Sequence, residues 1–278
     1  MDDANPPSER FQALAAKLRA NDAVGLAEGA LALAAEFARV DPPKAFAELD
    51  RLGDDARKRV PADGPAGTRL ELLLRFLQRD CGYFGNRAEY GDPRNSDLSQ
   101  VIARRTGIPI TLAIVAIEVG ARCGVPLQGV PFPSHFLVRT HDEPPILGDP
   151  FHFKLVGDIE ATERLQAALG AKTKLDQIFL RPANTRATLV RMCSNLKHIH
   201  LGKEEWLKAI GLCDRILLLA PEIATEHRDR GALYARLECY GPALADFEKY
   251  LALEPKAEDA DAVRESIEAL RPVVMRIN

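Results

Sequence analysis

A chain of 278 residues, 46% apolar and 28% charged, is long enough for a sizeable core and has the balance of an ordered protein, which excludes wholesale disorder. Lysine and arginine number 37 against 40 acidic residues, a formal net charge of −3, so no global positive field marks it for nucleic acid or an anionic membrane surface. The longest apolar stretch, residues 110–119, is too short for a bilayer, and five scattered cysteines with no CxxC pair point to reduced thiols in a cytoplasmic setting. The opening MDDANPPSER lacks the basic start and apolar run of a secretory signal.

Residues 1–80 read as a helical region. Ser8 is placed to cap a helix whose Phe11, Leu14, Ala15 and Leu18 fall on one face. An alanine-rich run over residues 23–39 carries Leu26, Ala30, Leu33 and Phe37 at helical spacing. A third helix through Phe46, Leu49 and Leu52 is expected to stop near Gly53. Pro61, Gly64 and Pro65 make a loop before a fourth helix through Leu70, Leu73, Leu74 and Leu77.

Residues 81–180 change character. A loop rich in Gly, Asn, Asp and Pro over residues 82–95 leads into a short helix over 96–105. Thr106-Gly107-Ile108-Pro109 breaks it, a second helix runs over 111–122, and Gly124-Val125-Pro126 ends that one. Strand-like runs follow at 128–130, 135–140 and 146–147, the last leading into Asp149-Pro150-Phe151; links this short require antiparallel pairing. If the second and third of these strands pair, the His135 imidazole and the Asp149 carboxylate can meet, and the carboxylate would fix the histidine tautomer as in a catalytic triad. A nucleophile would then come from the N-terminus of the preceding helix. A structural histidine hydrogen-bonded at a strand edge satisfies the same spacing.

Residues 181–278 read as helix throughout, with an internal repeat. Ala209, Ile210, Leu217, Leu219 and Pro221 recur 34 residues later as Ala243, Leu244, Leu251, Leu253 and Pro255, the period of the tetratricopeptide (TPR) repeat. Gly231, Tyr234, Ala243, Phe247 and Pro255 of the second unit resemble its consensus, whereas the first unit has Lys197 and His200 where Gly and Tyr are expected. Two units are too few for a free-standing solenoid.

The motifs Gly85-Asn86, Tyr90-Gly91-Asp92-Pro93, Asn95-Ser96-Asp97-Leu98, Arg105-Thr106-Gly107-Ile108-Pro109-Ile110-Thr111-Leu112, Pro133-Ser134-His135-Phe136-Leu137-Val138-Arg139 and Asp149-Pro150-Phe151, with Asn195-Leu196-Lys197 and Arg228-Asp229-Arg230-Gly231, resemble the bacterial SirB-type proteins. The resemblance runs from about residue 70 to the end. It implies an α+β, predominantly helical protein: N-terminal helices, a papain- or transglutaminase-like core with a small antiparallel sheet, and TPR-like helices. It also implies an ancestral Cys-His-Asp triad, in which His135 and Asp149 match the histidine and the aspartate. The cysteine does not carry over: the only hydroxyl or thiol at the helix start is Thr111, and the SirB-type branch has Ser or Thr there. A threonine hydroxyl cannot be tuned to an anion near neutral pH as a thiol can, so Thr111 stands as cap, packing residue or degenerate nucleophile.

The remaining chemistry-bearing residues add little. Cys123 lies at the far end of the same helix, Cys81 precedes the glycine-rich loop, and Cys193, Cys213 and Cys239 read as small core residues. His135, Asp149 and His152 are a known kind of ligand set, yet their spacing matches no compact motif, so no metal or cofactor is expected. Neither a phosphate-binding loop nor a basic stripe is present, and His198 and His200 face different ways on their helix. The expected function is a non-catalytic or regulatory protein-interaction protein that binds a protein or peptide partner through its TPR-like helices, without nucleic acid or membrane. The alternatives are a residual hydrolase or acyltransferase using His135 and Asp149, or a cleft that grips a ligand without turning it over.

Overall fold

The computed structural model describes residues 6–277. The chain divides into two compact units: one comprises Ala23–Arg191, and the other joins the chain up to Asp22 with the chain from Met192 onward. The boundaries expected at residues 80 and 180 therefore both fall inside the first unit.

The first unit opens with three helices, α2 (Leu26–Ala34), α3 (Pro42–Arg57) and α4 (Ala66–Arg75), which follow α1 (Glu9–Arg19) of the other unit. Asp41 caps α3 by accepting the Lys44 N–H, and two prolines open its first turn. Gly53 does not stop α3. A Cβ there would lie 2.4 Å from Cβ of Arg122, so the glycine gives room to a crossing side chain within a helix that continues for another turn. The alanine-rich α2 ends at Ala34, earlier than its periodicity suggests, and leaves Phe37 outside the helix and 48% exposed. Beyond α4 the chain widens into a π-helical turn, Phe76–Asp80.

A two-residue strand, β1 (Phe84–Gly85), then pairs in parallel with β2 (Thr106–Gly107), with α5 (Leu98–Arg104) between them. Asp97 caps α5, taking the Ser99 and Gln100 N–H groups. Pairs this short have no alternation for the sequence to display. The helix α6 (Pro109–Arg122) is the centre of the unit. Every residue from Pro109 to Ala116 is buried, an all-round apolar helix that can only sit inside a core. Helices α2 to α5 and the sheet pack around it.

The sheet is a four-stranded antiparallel meander, β3 (Gln128–Val130), β4 (Leu137–Arg139), β5 (Leu147–Asp149) and β6 (Lys154–Val156), in sequential order. Val130, Phe132, Leu137, Leu147 and Val156 join Ala161 and Leu165 of α7 (Asp158–Leu169) in one apolar cluster. Neither strand β6 nor helix α7 shows in the sequence pattern.

The second unit contains α1, the later part of α8 (Thr185–Gly202), α9 (Trp206–Leu219), α10 (Ala224–Arg236), α11 (Tyr240–Leu253) and α12 (Ala260–Ile277). The TPR pattern has a visible cause: a Cβ on Gly231 would lie 2.9 Å from the Phe247 ring, so α10 and α11 approach only because position 231 has no side chain. Thirty-four residues earlier, Lys197 takes the glycine's place and is buried. Its Nζ donates to both Glu226 carboxylate oxygens at 2.7 Å and to Asp229 at 3.0 Å. From α10, Arg230 reaches Asp214 of α9 and Asp246 of α11, so ion pairs join these three helices alongside the close packing at Gly231. Cys193 and Cys213 are buried as expected, whereas Cys239 is exposed, because it precedes α11 in the turn rather than lying on a packed face. No described helix is long and apolar enough to cross a membrane.

Candidate functional site

Pairing of β4 with β5, Val138 opposite Gly148, brings the residues flanking them into register. His135 stands just before β4 in a tight turn, its N–H donating to the Phe132 carbonyl at 2.9 Å. Asp149 ends β5 and is completely buried. Two left-handed residues shape the turns that carry these groups, Ser134 at φ 56° and Phe153 at φ 54°. Non-glycine residues in that region cost about 1–2 kcal/mol each, so the surrounding packing holds both turns against local preference.

The carboxylate of Asp149 is the hub. Oδ1 accepts from His135 Nε2 at 3.0 Å, from the Phe151 N–H at 2.9 Å and from the His152 N–H at 3.2 Å. Oδ2 accepts from His152 Nδ1 at 2.6 Å and from Arg164 Nη1 at 2.7 Å. Burial by itself would raise the Asp149 pKa. The hydrogen bonds and charge of His135, followed by the bonds from His152 and Arg164, outweigh it and hold the group well below the usual carboxylate range. An ionised carboxylate only accepts, so each ring nitrogen facing it carries a hydrogen. Nδ1 of His135 and Nε2 of His152 are left pointing outward, and neither has a hydrogen-bond partner among the described residues.

Aromatic contacts fix the rings. The imidazoles of His135 and His152 stack with centroids 5.9 Å apart, and Phe151 stands edge-on to both. Tyr90 meets Phe151 edge-on at 6.1 Å. Phe151 in turn lies over Gly85 of β1, where any Cβ would come within 2.5–2.8 Å of its ring carbons. The two-stranded ribbon thus braces the histidine pair from behind. His135 is 14% exposed and His152 29%, so both rings are partly open to solvent, whereas the carboxylate they share is fully buried.

Thr111 has a different setting. It is fully buried in the first turn of α6, where its hydroxyl donates to the Asn95 carbonyl at 2.7 Å and accepts the Ile108 N–H at 3.2 Å. No hydrogen bond joins it to His135, whose ring has a single polar partner among the described residues, Asp149. Asn95 belongs to a buried amide pair, accepting from Asn86 Nδ2 at 3.2 Å, so Thr111 is tied into a network that shapes the 86–97 loop. The thiols offer no substitute in this setting. Cys81 is half-buried, its pKa pushed up to about 11 by burial, and Cys123 is buried and shifted in the same direction. His198 lies on α8 with Nδ1 against the Ser194 carbonyl, and His200 pairs with Glu205; the two share no partner.

The structure therefore brings His135, Asp149 and His152 together and leaves Thr111 engaged elsewhere. Arg164 was not foreseen. On α7 it reads as a surface charge paired with Glu160 four residues before, which it does bond at 2.6 Å, while its other nitrogen reaches the buried carboxylate.

Residues 43–194, more than half of the chain, match the family model of the transglutaminase-like superfamily. The chain belongs to that superfamily. Residues 196–268 match a tetratricopeptide repeat model. Among similar proteins, a UPF0162 protein of Xylella fastidiosa is 43% identical over 201 residues, covering 70% of this chain and 72% of that protein. A UPF0162 protein of Vibrio cholerae is 32% identical over 259 residues, covering 90% and 93%. Protein SirB1 of Salmonella typhimurium is 26% identical over 245 residues, covering 86% and 90%, in line with the SirB-type resemblance. No solved structure matches the chain.

Proposed function

We propose that this transglutaminase-like protein works as a non-catalytic interaction or regulatory protein of the cytoplasm, binding a protein or peptide partner through its TPR-like helices. The observation that carries this reading is the hydroxyl of Thr111. At the helix start where the superfamily's attacking group belongs, it is buried and committed to two main-chain groups of its own framework. An acyl-transfer site needs a nucleophile within hydrogen-bond reach of its base, and among the described residues His135 has none. TPR helices stack side-chain-lined surfaces suited to extended peptides or partner helices. Leu207, 44% exposed on α9, is an apolar residue available to such a partner.

The test uses the full-length chain in assays of amine incorporation and peptide hydrolysis, comparing wild type, His135→Ala and Thr111→Ser. All three are expected to sit at the level of the buffer. In a second arm, a photoreactive residue at position 207 is expected to give a discrete crosslinked adduct in cells. Turnover by the wild type that vanishes in His135→Ala would refute the reading, as would the absence of any adduct.

The alternative is a residual hydrolase or acyltransferase. It draws on the His135–Asp149 hydrogen bond, which leaves Nδ1 outward as a general base would need. The same turnover assay separates the two.

A further inference from the structure

We propose that His135, His152 and Asp149 form a binding site for one divalent transition-metal ion of the zinc class. Two imidazole nitrogens and a carboxylate oxygen all lie within 4.8 Å of one another. Ligands bound at about 2.0–2.2 Å to a common tetrahedral ion stand roughly 3.4 Å apart, so His135 Nε2, now 3.0 Å from Oδ1, needs to move outward by only a few tenths of an ångström, and His152 Nδ1 exchanges its bond to Oδ2 for one to the ion. Two histidines and one carboxylate are a donor set for zinc and its neighbours, and three protein ligands leave room for water or a bound group.

His152 is the residue that favours this inference. A base and its orienting carboxylate need one imidazole, yet here a second one stacks beside the first and shares the same acceptor. Base chemistry gives it no task; metal ligation does. The carboxylate is also held from behind in the manner of a ligating group, by the N–H groups of Phe151 and His152 on Oδ1 and by Arg164 on Oδ2. The ion takes the place of an imidazole N–H on the carboxylate, whose remaining contacts are two main-chain N–H groups on Oδ1 and the Arg164 guanidinium on Oδ2. Its positive charge also makes this a weaker site than one built from carboxylates alone. Binding requires each ring to give up the proton it now shares with Asp149. That proton moves to the outward nitrogen of a neutral ring, or leaves to solvent from a doubly protonated one, so affinity falls with falling pH.

The inference is independent of the proposed function, since it needs neither a partner nor turnover. Full-length protein freed of metal by chelation is titrated with Zn2+ by calorimetry and with Co2+ by visible absorption. The expected result is saturable one-to-one binding with ligand-field bands from Co2+. His135→Ala and His152→Ala, each verified as folded by circular dichroism, should weaken it more than about tenfold, and His198→Ala, on α8, should leave it unchanged. Absence of saturable binding, or binding that survives His152→Ala, overturns the proposal. Failure here with the turnover and crosslinking results intact would leave the proposed function standing.

Discussion

Replacing Thr111 by Val keeps the shape of the side chain and deletes only its hydroxyl. In the structure that hydroxyl satisfies two main-chain groups, the Asn95 carbonyl at 2.7 Å and the Ile108 N–H at 3.2 Å, where no water reaches. Leaving a buried polar group without a partner costs about 1–3 kcal/mol, so Thr111→Val should destabilise by about 2–4 kcal/mol once the better burial of the added methyl is allowed for. Thr111→Ser keeps both hydrogen bonds and loses one methyl, a loss of about 1 kcal/mol. Urea unfolding followed by far-ultraviolet circular dichroism reads the difference. With a slope of about 2 kcal/mol per molar, the Val midpoint should fall by roughly 1–2 M and the Ser midpoint by roughly 0.5 M. A nucleophile predicts otherwise: its removal costs activity and little stability. If Thr111→Val proves as stable as wild type, or more stable than Thr111→Ser, the structural role assigned to this residue is wrong.

Other perturbations test the remaining framework. Lys197→Met strands Glu226 in a buried setting and should destabilise the repeat unit by about 3–5 kcal/mol, read by the fluorescence of Trp206, the chain's one tryptophan; adding Glu226→Leu should restore most of that loss. For Asp229, burial pushes the carboxyl pKa up, but Lys197 and then Arg228 hold it below its ordinary 3.8. A carboxyl depressed on folding stabilises above that value and loses the contribution as pH falls through its folded pKa, so the melting temperature of wild type should drop more steeply below about pH 4 than that of Asp229→Asn. Gly120→Ala would set a Cβ 2.5 Å from the Val125 carbonyl, which as backbone cannot yield, and should destabilise by about 3 kcal/mol; Gly241→Ala, with open space around it in α11, should stabilise by about 0.5–1 kcal/mol in the same urea assay.

How much of this was legible in the residues depended on what each element shows of itself. The apolar faces of α1 and α4, the length of α6 and the 34-residue offset all announce periodicity, and periodicity survives folding. The meeting of His135 with Asp149 was legible because short links force neighbouring strands to pair. Strand β6 and the β1–β2 ribbon were not, since two or three residues carry no alternation and their partners are chosen by the tertiary fold. Gly53 was misread as a stop because a glycine inside a helix looks the same whether it ends the helix or admits Arg122. Arg164 was invisible for a related reason. Its bond to Glu160 is local and its bond to Asp149 is not, and only the local one leaves a mark at i,i+4 spacing. His152 could be grouped with His135 and Asp149 as a donor set, but its place beside the His135 ring depends on the left-handed turn at Phe153.

The allotment of α1 to the later helices has a bearing on how the chain is made. Helix α1 packs against α9, and the whole of Ala23–Arg191 intervenes between them. At about 5–20 residues per second, a ribosome needs on the order of 10–40 s after releasing α1 to deliver its counterpart. Throughout that interval Phe11, Leu14 and Leu18 have no surface of their own unit to cover them, while the intervening unit can already complete its core. The intervening unit therefore has its core in place before α1 meets α9.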